Sequence, residues 1–216
     1  RADELADELA QYMWDRRAAF RPELVSVRDA IHFTRTASGQ PVVWAEGSDN
    51  PGGGGPCDGT HILSALIEAD FQGAVVAVIA DPESVGRAIA AGVGAEVELE
   101  VGGKSIALHG EPVALRAYVQ ALTDGRFVNK GPMGRGTRAN MGRTAVVRSR
   151  GVEIVLTERR IQPFDAQVLR SVGIEPTDRK LIVLKSAVHF RADYNEIAHA
   201  IVEVDTPGVH SPKLES

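Results

Sequence analysis

Two stretches of the chain gather groups that can do chemistry. The first, SDNPGGGGPCDGT at 48–60, sets Asp49 and Asn50 ahead of Gly52, Gly53, Gly54 and Gly55, with Asp58 and Thr60 just beyond. Glycines let backbone N–H groups come close to a ligand, and a helix start favours an anion through its free donors and partial positive charge. The alternative reading is structural, a tight turn that needs left-handed backbone. The stretch is neither of two familiar nucleotide loops. Gly59 is followed by Thr60 where a phosphate loop needs lysine, and Cys57 stands where the dinucleotide pattern needs its third glycine.

The second stretch, KSAVHFRADY at 185–194, delivers Lys185, Ser186, His189 and Arg191 at the end of an apolar run. Histidine serves as acid, base or metal ligand near neutral pH, and lysine and arginine hold carboxylates or phosphates. A histidine beside Phe190 is equally compatible with a hydrogen-bonded structural role. Ser186 with His189 is a nucleophile–base pair only if the fold brings the two into line. A third stretch, the glycine-rich loop 129–143, carries Lys130, Arg135, Arg138 and Arg143. It reads first as a solvated loop, and otherwise as a clamp for an anionic substrate or an interface. His109 and His210 fall in loops or strand edges and read as inert. His199 reads as a helix-surface residue, and His32 and His61 are isolated. There is no H-E-x-x-H, no H-x-H and no Cys/His pair, so spacing alone builds no complete metal site. There is no G-x-S-x-G elbow either.

The elements that must position these groups follow from periodicity. Residues 3–20 have apolar side chains at three- and four-residue spacings, which predicts an amphipathic helix ending before Pro22. Ser26 reads as the cap of a second helix. PVVWAEG (41–47) predicts a buried strand, and HILSALIEA a helix capped by Asp58 or Thr60. AVVAVIA (74–80) predicts a fully buried strand. A helix follows, with Asp81 as cap and Pro82 in its first position, ending at Gly92. AEVELEV (95–101) alternates, so one face is buried and one solvated. Gly102-Gly103 predicts a hairpin with KSIALHG as partner strand. Residues 111–127 fit helix or strand, with the β-branched and aromatic content favouring strand. TAVVRS, Arg150-Gly151 and VEIVLTE predict a second hairpin, and FDAQVLRSVG a helix closed by Gly173. LIVLKS (181–186) and IVEVDTPG predict strands, with loop then helix between them. The expected fold is a single α/β domain over 1–216, a central mostly parallel sheet with flanking helices and an inserted antiparallel β-region around 95–160.

Composition bounds the rest. With 216 residues, 44% hydrophobic and 25% charged, the chain is an ordinary globular one and not a disordered one. A net charge of -5 counts against general nucleic-acid binding. One cysteine excludes an internal disulfide and a zinc–thiolate cluster. No run of roughly 18 apolar residues crosses a membrane, and the charged opening is unlike a secretory signal, so the cytoplasm is the expected compartment. The chain opens on Arg1 and not Met, which suggests excision from a longer protein.

Taken in order, DNPGGGGPCDGT (49–60), AVVAVIADPESV (74–85), AAGVGAEVELEVGGK (90–104), TDGRF (123–127) and KSAVHFRADY (185–194) resemble the C-terminal domain of the MlrC-like (microcystinase C) family of bacterial zinc metallopeptidases. Members are roughly twice this length, a two-domain size. The resemblance implies a hydrolase acting on linear peptides or related amides. A catalytic zinc would polarise the amide carbonyl and acidify its bound water, with its ligands in an N-terminal domain. The implied partners are that N-terminal domain and a small peptide or amide substrate, with no nucleic acid and no membrane; a homo-oligomer is compatible. On this reading His189 and Asp49 are catalytic. Asp49 and Asn50 position substrate or water, and the Gly52–Gly55 backbone binds a substrate carboxylate or the oxyanion. His189 gives a proton or stabilises charge, with Lys185 and Arg191 holding it or the substrate. Asp58, Thr60 and Ser186 complete the substrate-binding set, and no residue of the chain is a metal ligand. The resemblance breaks at Cys57, a position more often glycine. The alternative is a non-catalytic module that binds a small anion or a partner.

Overall fold

Continuous apolar runs and alternating runs go to different halves of one sheet. The computed structural model describes residues 1–213. In chain order it contains α1 (Ala2–Asp15), β1 (Val25–Ser26), α2 (Val27–Thr36), β2 (Val42–Ala45), α3 (His61–Glu68), β3 (Ala74–Ala80), α4 (Pro82–Ala91), β4 (Glu96–Val101), β5 (Val113–Thr123), β6 (Arg126–Val128), β7 (Arg138–Asn140), β8 (Thr144–Ser149), β9 (Val152–Thr157), α5 (Gln167–Arg170), β10 (Leu181–Leu184), α6 (Arg191–Tyr194) and β11 (Ala200–Asp205). Nine strands form one sheet in the order β1-β11-β2-β10-β3-β9-β8-β5-β4, and β6 and β7 pair separately. Neighbours from β1 to β9 are parallel, and those from β9 to β4 are antiparallel. This is the expected α/β fold, with its antiparallel part where the alternation begins.

The central parallel strands β2, β3 and β10 are buried on both faces, which is why AVVAVIA and LIVL are apolar throughout. Successive residues point to opposite faces. Val42, Trp44, Leu181 and Val183 pack with Ala30, Ile62, Leu66 and Val85 of α2, α3 and α4. Val43, Ala45, Ile182 and Leu184 pack with Val168 and Leu169 of α5 and Tyr194 of α6. β5 instead alternates, burying Leu115, Ala117 and Val119 while Arg116 and Tyr118 stay exposed. That one-sided burial settles the ambiguous 111–127 segment as a strand. α1 covers Ala2–Asp15 of the predicted 3–20 and gives way to a 3-10 turn at Arg17–Phe20, and it buries none of its residues.

Four local expectations change. Gly102 and Gly103 are left-handed, yet they open no hairpin: β4 pairs with β5, and KSIALHG is irregular apart from a 3-10 turn at Ala107–His109. The cause is a competing set of hydrogen bonds. The N–H groups of Lys104 and Ser105 donate to Asp58, and Thr60 N–H donates to the His109 carbonyl, so this segment is drawn to the loop after β2. For the same reason neither Asp58 nor Thr60 caps α3 through its side chain; Thr60 Oγ1 donates to the Glu111 carbonyl instead. His199 lies beyond α6 and not on a helix, and its N–H donates to the Pro41 carbonyl. Part of the basic loop 129–143 forms β7.

Asp81 behaves as expected and does more. Its carboxylate caps α4 through Ser84 N–H (3.1 Å), accepts Gly102 N–H (3.0 Å) and pairs with Lys104 Nζ (3.0 Å). Burial pushes its pKa up, but these hydrogen bonds outweigh burial and hold it below the usual carboxylate range. A depressed pKa means stabilisation that is full above about pH 4 and fades as pH falls through the folded value. Asp81→Ala is therefore expected to cost about 2–4 kcal/mol at neutral pH in chemical denaturation, with the gap to the parent closing in acid.

Candidate functional site

The register that pairs Ala45 with Leu184 makes Glu46 and Lys185 leave neighbouring parallel strands side by side. In open α/β sheets this carboxyl edge is where ligands bind. Here its base is an ionic cluster sealed from water. Lys185 Nζ donates to Glu46 Oε2 (2.7 Å) and the Gly59 carbonyl (2.8 Å), and forms an ion pair with Asp49 Oδ2 (3.1 Å). Lys185, Glu46 and Asp49 are each at most 1% exposed. Burial works against the ammonium charge, but Glu46 and Asp49 outweigh it and raise the Lys185 pKa, so the lysine stays protonated. Burial lifts the Glu46 carboxyl above its usual range, with Lys185 pulling against it.

Asp49 organises the glycine-rich loop. Its Oδ1 accepts Cys57 N–H and its Oδ2 accepts Gly59 N–H, both at 2.7 Å. Asn50 does the same one step on: its Oδ1 accepts Gly52 N–H (2.9 Å), and its carbonyl accepts Gly53 and Gly55 N–H. Gly54 N–H goes to the Pro51 carbonyl. The loop's own oxygens thus take the amides expected to reach a substrate carboxylate or oxyanion. Asp49 is buried and spends both carboxylate oxygens on holding the loop. Two of the glycines are required by the backbone: a Cβ on Gly55 would strike the main chain of Asp49 and Asn50, and Gly54 is left-handed (φ 100°); a Cβ on Gly52 or Gly53 would displace the Gln162 side chain or the His210 ring. Cys57 adopts φ 67°, left-handed backbone that favours glycine, so the cysteine is held there against its backbone preference. Its thiol is buried and pushed up to about 12 by burial, so it is an inert packing group.

Above this base runs a polar chain that centres on Gln162, in the connection between β9 and α5. Gln162 Nε2 donates to Asn50 Oδ1 (3.0 Å) and Ser186 Oγ (3.1 Å), and Gln162 Oε1 meets His189 Nδ1 at 3.0 Å. His189 is exposed; Ser186 is buried. Gln162 therefore stands between Ser186 and His189, and they form no nucleophile–base pair. Arg191 turns to Glu203 on β11 (2.6 Å), away from Lys185. So the structure joins Asp49, Asn50, Asp58, Lys185, Ser186 and His189 around one loop and separates Arg191 from them. Sequence reading missed Gln162, which has no titratable group and no motif around it.

It also passed over His109, which is fully buried with Nδ1 3.2 Å from Asp49 Oδ1 and 3.8 Å from Asp58 Oδ1. These three residues place one donor atom each within 4.8 Å of one another, a spacing that could hold a metal ion. Their hydrogen bonding does not fit the zinc that the family resemblance implies. Val209 N–H donates to His109 Nε2 (3.2 Å), so the ring hydrogen sits on Nδ1, the atom that would have to bind. Nδ1 is aligned for a hydrogen bond with neither carboxylate. Asp58 already accepts from Lys104 N–H, Ser105 N–H and Ser105 Oγ. Lys185 adds a positive charge beside Asp49. The cluster is a clasp that ties 104–110 and the C-terminal segment to the loop.

Two outcomes follow. Lys185→Met leaves Glu46 and Asp49 unpaired in the interior, and is expected to cost about 3–5 kcal/mol in denaturation and to speed amide exchange across 49–59. The chain dialysed against a slight zinc excess is expected to retain far less than one equivalent by plasma mass spectrometry. Stoichiometric zinc that disappears in His109→Ala would overturn the clasp.

Residues 45–216 match the family model described as MlrC C-terminus. The chain is 28% identical over 174 residues to Microcystinase C of Sphingomonas sp., which covers 81% of this chain and 34% of that protein. It is similar to the crystal structure of a "Putative metallopeptidase" from Mesorhizobium sp. BNC1, with a TM-score of 0.84 and 30% identity over 95% of this chain and 41% of that one. The chain spans less than half the length of either relative.

Proposed function

The chain belongs to the MlrC C-terminal family, and we propose that it forms one wall of the active site of a metal-dependent hydrolase that cleaves linear peptides or related amides. The observation that carries this reading is the His189–Gln162 contact. Gln162 spends its NH2 group on Asn50 and Ser186, so its oxygen is the atom that faces His189. The His189 hydrogen then sits on Nδ1, and Nε2 keeps its lone pair. An exposed imidazole of fixed tautomer on a rigid base is suited to take a proton from an attacking water and return it to the leaving amine. The Asn50 NH2 group has no partner among the described residues and would orient the substrate carbonyl. Asp49, Asp58 and Lys185 hold the loop that carries Asn50.

Zinc, when bound, would polarise the scissile carbonyl; its ligands would come from a further part of a longer polypeptide, a partner for this domain. The relatives' length is consistent with that partner. So is α1, whose Leu5, Leu9, Tyr12, Met13 and Trp14 are all more than half exposed. A helix of this length is marginal in water without a packed face. The alternative, an anion-binding module built on the loop amides, loses its donors to the loop itself.

In the polypeptide as its gene encodes it, His189→Ala is expected to lower kcat/KM on linear peptide amides by about 10²–10⁴, mostly through kcat. The reading falls if His189→Ala leaves kcat/KM unchanged.

A further inference from the structure

From Gly125 to Val152 the chain has no aspartate or glutamate, although it holds 29 of them elsewhere. The same stretch carries Arg126, Lys130, Arg135, Arg138, Arg143, Arg148 and Arg150. Three are engaged: Arg143 pairs with Glu158, Arg148 lies over the Tyr118 ring, and Arg150 donates to the Ile67 carbonyl. Arg126, Lys130, Arg135 and Arg138 are exposed, and their side chains meet no carboxylate among the described residues. Elsewhere Arg116, Arg170, Arg179 and Arg191 each have one. Four free cations in so short a stretch of an acidic protein concentrate positive potential at one place.

The register of β6 and β7 gives that potential a shape. Arg126 opposes Asn140 and Val128 opposes Arg138, so these four share the exposed face of the ribbon. Phe127 turns the other way and packs against the core. Arg126 and Arg138 are diagonal neighbours on that face, where like charges repel. Two guanidinium forks at this spacing suit a carboxylate held by paired N–H donors.

The ribbon also lies beside the proposed active site. Arg159 N–H donates to the Met141 carbonyl at its base. Lys130 and Gly131 N–H donate to Asp165 (2.8 Å), and Gly134 approaches the Phe164 ring. These contacts fasten it to the segment 158–165 that carries Gln162. Of the acids nearest to it, Glu158 pairs with Arg143, while Asp165, Asp193 and Asp124 accept backbone N–H groups and form no ion pair with Arg126, Lys130, Arg135 or Arg138.

We propose that the β6–β7 ribbon is a carboxylate-binding subsite that takes an acidic side chain or the terminal carboxylate of a peptide bound along Gln162 and His189. The carboxylate specificity stands on the ribbon alone; only the placement along Gln162 rests on the hydrolase reading. Nucleic acid fits less well, because the strands are three residues long and no exposed aromatic ring is there to stack a base.

The test is binding of a fluorescently labelled tri-glutamate peptide to this chain, read by anisotropy. Saturable binding is expected, weakened at least 10-fold in R126Q/R138Q and again when ionic strength rises from about 20 to about 200 mM. The double variant changes only exposed side chains and is expected to keep the parent melting temperature. The anisotropy assay reads binding at the ribbon, whereas the His189→Ala assay reads turnover, so this proposal and the hydrolase reading can fail separately. Absent saturable binding, equal binding by the double variant, or tighter binding of a single-stranded oligonucleotide of matched charge would each overturn the carboxylate subsite.

Discussion

The ammonium of Lys185, sealed between Glu46 and Asp49, is the constraint on which the rest of the site depends. A buried charge is tolerable only if partners surround it, and the partners here come from both sides of a strand pair. Glu46 follows β2, and Lys185 follows β10. Asp49 can reach Lys185 only if the chain after β2 turns back over the sheet edge at once. That turn fixes the path of 46–60, and the Gly59 carbonyl completes the lysine's shell from the far end of the same loop. The loop is therefore closed around a cation of the protein's own.

This explains a glycine run that resembles a ligand cradle. Once Asp49 and Asn50 have taken the loop's amides, the chain is so tightly folded that Gln162 and His210 lie where side chains of 52 and 53 would be. The glycines serve the close approach of protein to protein. What they build is a rigid platform, on which His189 is exposed, Gln162 half-buried and Asn50 buried beneath them. Rigidity comes from a dry ionic base; on the proposed hydrolase reading the chemistry belongs to the rim, where substitutions would alter the reaction without unfolding the base.

Periodicity made most of the fold legible. AVVAVIA and LIVL had to be central strands because nothing in them tolerates water, and Asp81-Pro82 marked the α4 start to the residue. What failed was local pattern set against distant bonds. Gly102-Gly103 has the composition of a hairpin, but Asp58, more than forty positions earlier, captures Lys104 and Ser105 and pulls the chain away. Asp58 beside Thr60 has the composition of a cap for the same helix, and loses that role to the same bonds. The site was legible as two strand ends, since polar residues after apolar runs stand out. Gln162 was not, because an amide acquires significance only from the three groups that converge on it.

His109 and His189 show why residue type alone could not rank the histidines. Each ring has one nitrogen fixed by a neighbour. At His109 the neighbour is a donor, Val209 N–H, which forces the ring hydrogen to Nδ1 and turns it toward two buried carboxylates. At His189 the neighbour is an acceptor, Gln162 Oε1, which also draws the hydrogen to Nδ1 but leaves a lone pair on the nitrogen of an exposed ring. The tautomer is the same and the consequence is opposite. In His109 the lone pair is consumed inside the protein and the ring can only clasp. In His189 it is unspent, and an unspent base held by a rigid amide at the carboxyl edge of a parallel sheet is where proton transfer is to be sought.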